Sequence, residues 1–223
     1  MTNSGDNFIA PSCQEQISFL FQDEHLLLIN KPSGLLSLSG KNPLNKDSVH
    51  FRLVKDFPSA CLAHRLDFGT SGVMLIALSK AVNALLTKQF QNRTIVKTYT
   101  SILMGTLAED SGEIVAPIAK DTGNFPLQKI CADKGKHAVS HYQVLAHLHN
   151  PSRTRVAFTP ITGRTHQLRI HSKEIGHPIL GCDLYGTSVS HAMAERLLLH
   201  ADSLGFEHPI TGRRMTVHSP CPF

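Results

Sequence analysis

The stretch HRLDFGTSG, His64–Gly72, sets one carboxylate, Asp67, two residues after an arginine and just ahead of a run of small residues. With an ordinary pKa of ~3.9, Asp67 is ionised at neutral pH and can serve as a nucleophile without a separate base. Gly69 and Gly72 let the backbone bend around it and leave room for a ligand to approach. The same nine residues also read as a plain turn, in which Asp67 and Thr70 satisfy backbone amides.

A second constellation is GRTHQLRIH, Gly163–His171. A helix beginning near Thr165 would put His166 and Arg169 three apart on one face, with Arg164 at its mouth. A guanidinium beside Asp67 would hold that carboxylate ionised through charge-assisted hydrogen bonds. Arg164, close to backbone N–H groups at a helix start, suits a phosphate instead. A solvated basic face would show the same residues. The third candidate is Tyr99, whose ring can stack on an extruded base and whose hydroxyl can hydrogen-bond or move a proton. It reads equally as a strand aromatic packed into a core. The histidine pairs His166/His171 and His147/His149 lack a third ligand at a recognised spacing, and no metal site is expected from them.

These residues need elements to hold them. Ile17–Phe21 and Leu26–Asn30 read as apolar strands around a polar turn, stopped by Pro32 and Gly34. Val73–Leu78 is a continuous apolar run suited to a strand buried on both faces. Val82, Leu85, Leu86 and Phe90 recur at helical spacing behind Ser79, placed as an N-cap. KTYTSILMG alternates as a strand with Tyr99, Ser101 and Leu103 on one face. Gly105–Lys136 breaks into short apolar pieces between glycines and prolines, as hairpins and loops do. Two further strands flank HNPS, Leu168, His171 and Ile175 mark a helix that Gly176 stops, and HPITGRR is the loop of a closing hairpin.

Strands dominate, with no strand–helix rhythm and neither a G-x-G-x-x-G nor a Walker loop, so an α+β fold on a large, mainly antiparallel or mixed sheet is expected. No linker-like stretch divides the chain: residues 17–223 are expected to form a single domain behind a loose segment 1–16.

The 223 residues are 41% hydrophobic and 17% charged, which is an ordinary globular composition. Lysine plus arginine exceeds aspartate plus glutamate by 22 − 17 = 5, and the pI is about 9.0. That modest positive field favours a polyanionic partner such as RNA or DNA. The five cysteines are scattered, with no C-x-x-C, and neither zinc knuckle nor redox pair is indicated. With no basic, apolar leader and no run of about 20 apolar residues, a cytoplasmic location is expected.

HRLDFGTSG resembles the H-R-L-D-x-x-T-S-G motif of the RluA-type RNA pseudouridine synthases. LLLINKPSGLLS resembles that family's K-P-x-G strand, KTYTSILMG its tyrosine strand, and PITGRTHQLRIH with GHPILGCDLYG its arginine motif. RLLLHADSLGFEHPITGRRM resembles its closing hairpin, so the likeness runs from about residue 17 to the end. No S4-like RNA-binding domain is expected ahead of these motifs, which is most like the branch of dual specificity for 23S ribosomal RNA and a tRNA anticodon stem-loop.

The resemblance implies the pseudouridine synthase fold and an isomerase that needs neither cofactor nor metal; a monomer is expected. By motif, Asp67 is the catalytic carboxylate, attacking the sugar or helping remove a sugar proton. Tyr99 stacks on the target base and helps take the proton from C5, Arg169 pairs with Asp67, and Arg65 fills the stack that the base has left. Arg164, His64 and Thr70 join Arg65 as RNA-binding residues. Two other classes share these features: an RNA-binding protein on the same scaffold without turnover, and a nucleoside hydrolase with an aspartate nucleophile. The intact triad argues against the first. The lack of a second carboxylate in the Asp67 motif argues against the second.

Overall fold

The computed structural model describes residues 8–223, so the first part of the N-terminal segment, residues 1–7, lies outside the described residues. In chain order the elements are β1 (Ser18–Gln22), β2 (Leu26–Lys31), α1 (Val49–Leu53), β3 (Cys61–Leu62), β4 (Ser71–Ala77) and α2 (Lys80–Gln91). There follow β5 (Val96–Met104), β6 (Ser111–Val115), β7 (Ile118–Lys120), β8 (Gln128–Ile130), β9 (Val139–Leu148) and β10 (Arg153–Pro160). The chain closes with α3 (Gln167–Glu174), α4 (Ser188–Ala192), β11 (Leu199–Glu207) and β12 (Arg214–His218). This is the expected α+β class, rich in strands and with few helices.

The chain folds as two compact units. Of the described residues, one holds 8–97 together with Ala201–Pro222, and the other holds Thr98–His200. In the first unit the strand order is β1–β2–β4–β11, with β12 antiparallel to β11 and β3 antiparallel to β4. All seven residues of β4 are buried, as expected of a strand covered on both faces. Its register against β2 sets Leu28 opposite Leu75 and Asn30 opposite Val73. α2 packs Val82 and Leu86 into the same core, beside Leu26, Leu75 and Phe206. The Ser79 side chain accepts the Val82 N–H at 3.2 Å, the N-cap read from the sequence.

Gly72 is a position only glycine can fill. Its φ is +117°, and an added Cβ would lie 2.3 Å from the carbonyl oxygen of Ala201. β4 therefore begins immediately after the Asp67 segment at a point where another strand's backbone comes very close.

In the second unit the order is β5–β10–β9–β6, paired antiparallel throughout, with β7 and β8 forming a separate hairpin. The core collects Leu103, Val156, Phe158, Leu168, Ile170 and Ile179, so α3 lays its apolar side against these strands. Ile175 caps α3 and Gly176 follows at φ +80°, the left-handed stop that glycine accepts most readily. Gly105–Lys136 comprises β6, the β7–β8 hairpin and loops, as its glycines and prolines indicated.

Candidate active site

Asp67 sits in a turn: its carbonyl accepts the Thr70 N–H at 3.1 Å. The turn reading and the presentation of a carboxylate are therefore the same local structure. Its neighbours are anchored on alternate residues. His64 accepts the Leu75 N–H at Nε2 (2.9 Å), and its ring lies 4.7 Å from that of Phe90. The Ser37 hydroxyl donates to the Leu66 carbonyl at 2.7 Å and accepts the Leu66 N–H at 3.2 Å. The Phe68 carbonyl accepts from the Gly34 N–H at 2.9 Å and from Lys31 Nζ at 3.1 Å. Ser33 Oγ donates to the Gly69 carbonyl at 2.7 Å. Held at 64, 66 and 68, the chain leaves Arg65 exposed and Asp67 half-buried.

Lys31 is the least expected of these anchors, because its side chain is 0% exposed. Its ammonium donates to three carbonyls, Pro32 at 2.9 Å, Leu35 at 2.6 Å and Phe68 at 3.1 Å. A buried lysine is tolerable only when its protons are matched in this way. The result fastens the K-P-x-G segment to the residue that follows Asp67.

Electrostatics fix the state of His64. Burial, and secondarily the Lys97 ammonium, push its pKa down to about 3. The neutral ring is also what the geometry requires, since Nε2 must keep a lone pair for the Leu75 amide. Burial lowers the pKa of Lys97 as well. His64, expected among the RNA contacts, thus has its ring committed within the unit, and Thr70 is buried.

The other unit carries Tyr99, Arg164 and Arg169. Tyr99 lies in β5 opposite Phe158 of β10 and packs against the unit's core. Arg169 is 4% exposed on α3; it pairs with Asp183, donates from Nε to Cys182 Sγ at 3.4 Å, and lies over the Tyr185 ring at 5.3 Å. Asp183 was not singled out in the sequence, and no local pattern marks it. α3 begins at Gln167, two residues later than the spacing suggested, because His166 takes a left-handed φ of +56°. His166 Nδ1 meets the Tyr185 hydroxyl at 2.6 Å, and that oxygen also accepts the Gln128 N–H at 2.9 Å.

Gln167 organises the turn ahead of α3. Its Oε1 accepts from Thr162 Oγ1 (2.7 Å) and the Arg164 N–H (2.9 Å), while Nε2 donates to the Val139 carbonyl and Ser140 Oγ (both 2.9 Å). Arg164 Nε in turn donates to the His137 carbonyl at 3.0 Å. His171 is fully buried, between Ser140 Oγ at 2.9 Å and the Ala116 carbonyl at 3.1 Å, and burial lowers its pKa. Both histidines of the RTHQLRIH run are therefore structural partners here. Among the described residues no group of three or more His, Cys, Asp or Glu is arranged to hold a metal ion. Nor is any helix there long and apolar enough to cross a membrane.

Residues 25–174 match the RNA pseudouridylate synthase family. The chain is 47% identical over 207 residues to a dual-specificity RNA pseudouridine synthase RluA of Haemophilus ducreyi, covering 92% of this chain and 93% of that protein. It is 42% identical over 213 residues to the protein of the same name from Escherichia coli (strain K12), covering 96% and 97%. Among solved structures, human RNA Pseudouridylate Synthase Domain Containing 1 superposes with a TM-score of 0.79 at 28% identity, covering 96% of this chain and 86% of that one.

Proposed function

This chain belongs to the RNA pseudouridylate synthase family, and we propose that it converts uridines of both 23S ribosomal RNA and a tRNA anticodon stem-loop to pseudouridine. The observation that carries the reading is the end-to-end match to relatives named as dual-specificity RNA pseudouridine synthases. The reaction is an isomerisation. The N1–C1′ bond breaks, the uracil turns in place, C5 joins C1′, and the proton from C5 is released as N1 regains one.

We assign the roles by motif. Asp67 acts on the sugar, Tyr99 stacks on the base and assists proton removal at C5, and Arg169 pairs with the carboxylate. A uracil within a helix must be flipped out first, at a few kcal/mol of lost stacking. Arg65, exposed on a backbone anchored at residues 64 and 66, is suited to fill the gap and offset that cost. Arg164, beside the start of α3, takes a phosphate. His64 and Thr70 serve RNA indirectly, by holding the turn that presents Asp67. We further propose that the two units work as one catalytic domain, that a single copy of the chain suffices, and that it acts in the cytoplasm.

Mapping pseudouridine in total RNA from cells with and without this protein tests the substrate assignment. The expected result is loss of sites in both 23S ribosomal RNA and tRNA. Loss confined to one class would reduce the proposal to that class, and loss from neither would overturn it.

A further inference from the structure

We propose that the segment Phe8–Glu15 is a positioning strap for the Asp67 turn, acting through the contact of Phe8 with Phe68. The proposal rests on the reading of Asp67 as the catalytic carboxylate. The Phe8 ring meets the Phe68 ring edge-on, with centroids 5.7 Å apart and planes at 79°. Phe68 is the next residue after Asp67, so a swing of the Asp67–Phe68 peptide must move that ring.

The strap is tied down by side chains that grip its backbone. Asn45, itself buried, accepts the Ala10 N–H at 2.8 Å and donates to the Phe8 carbonyl at 2.7 Å, bracketing Ile9. Arg52 reaches the Cys13 and Glu15 carbonyls at 2.6 Å each, and is itself held by Asp47 at 2.7 Å and 2.6 Å. The Cys13 thiol lies 3.6 Å from the carbonyl of Ser33, the residue whose hydroxyl holds Gly69. Both ends of the 68–69 peptide pair are thereby connected to the strap.

Packing contributes much less than these bonds. Phe8 is 54% exposed, and a cleft of about 200 Å³ lies between Ala10, Pro11 and Ser12 on one side and Gly34, Leu35 and Leu44 on the other. A half-exposed ring adds little to folding, yet it stands against the side chain of the residue that follows Asp67. Catalysis depends on sub-ångström placement of reacting groups, so releasing this contact acts on the chemical step.

The test is single-turnover pseudouridine formation in a tRNA anticodon stem-loop, with RNA affinity and thermal unfolding measured on the same full-length variants. Phe8→Ala is expected to slow the chemical step about tenfold, with RNA affinity within twofold and the melting temperature unchanged. Phe8→Tyr, which keeps the ring, should restore the rate. Asn45→Ala should slow the step similarly, and adding it to Phe8→Ala should cost nothing further. A Phe8→Ala enzyme at the wild-type rate would overturn the strap. So would a variant whose loss lies wholly in RNA affinity, since Phe8 would then be touching substrate. Asp67→Asn run alongside separates the two readings: an inactive Asp67→Asn with a normal Phe8→Ala removes only the strap, whereas an active Asp67→Asn removes the reading beneath it.

Discussion

Replacing Lys31 by methionine isolates the buried ammonium, because the two side chains are similar in length and methionine cannot donate. Three carbonyls lose a donor: Pro32, Leu35 and Phe68. The Phe68 carbonyl keeps the Gly34 N–H at 2.9 Å, leaving two unsatisfied. An orphaned buried acceptor costs about 1–3 kcal/mol, or roughly 2–6 kcal/mol for the pair. Part of this is recovered, because the fold no longer has to dehydrate a charge. A net loss of about 2–4 kcal/mol follows, which for a chain of this size lowers the melting temperature by roughly 4–16 °C. Urea unfolding gives the free energy and differential scanning calorimetry the midpoint. Pseudouridine formation by the folded variant should also fall, since Phe68 has lost one tether. Stability within about 0.5 kcal/mol of wild type, with full activity, would refute the view that the ammonium secures this loop.

Other perturbations have equally defined signs. His64 has its pKa pushed down to about 3, so its stabilising contribution is complete above its unfolded pKa of ~6.5 and is lost as the pH falls toward the folded value. Urea titrations between pH 6 and pH 4 should therefore show wild-type stability falling with acid by up to about 1.4 kcal/mol per pH unit from this group, a slope His64→Gln should remove. The Arg52 hydrogen bonds hold the Asp47 carboxyl below its usual value. Asp47→Asn should thus be less stable than wild type at pH 7, with the gap closing below about pH 3.8 as the native carboxylate takes up a proton. Arg164→Ala should weaken RNA binding and reduce the slope of log affinity against log salt by about one, which filter binding across a salt series reads directly. An unchanged slope would mean that Arg164 touches no phosphate.

The elements with regular periodicity were legible in the sequence: buried β4, α2 with its serine cap, α3 with its glycine stop, and the β11–β12 hairpin. What escaped was short or depended on distant partners. α1 and α4 span five residues each, too few to establish a period. Lys31 reads as a solvated lysine until the Leu35 and Phe68 carbonyls converge on it, and sequence spacing does not show that convergence. Likewise Asp183 is an isolated acid on the chain but lies beside Arg169 in the fold. His166 delayed the start of α3 because a left-handed residue, stabilised here next to the Tyr185 hydroxyl, has no signature in helical spacing. The candidate residues were named by motif; the fastening of the Asp67 turn, by Lys31, Ser37, Ser33 and the Phe8 strap, came from side chains reaching backbone across 29–37 positions of the chain and from a ring contact across 60.

The role of Asp67 is tested most directly by pseudouridine formation with purified wild type and Asp67→Asn on a tRNA anticodon stem-loop and a 23S ribosomal RNA fragment. Formation is scored by release of tritium from C5-labelled uridine, with free uracil followed in parallel. Wild type should release tritium without free uracil, and Asp67→Asn should release none above background at unchanged RNA affinity. Wild-type turnover by Asp67→Asn, or free uracil as the product of the native enzyme, would contradict the proposed function.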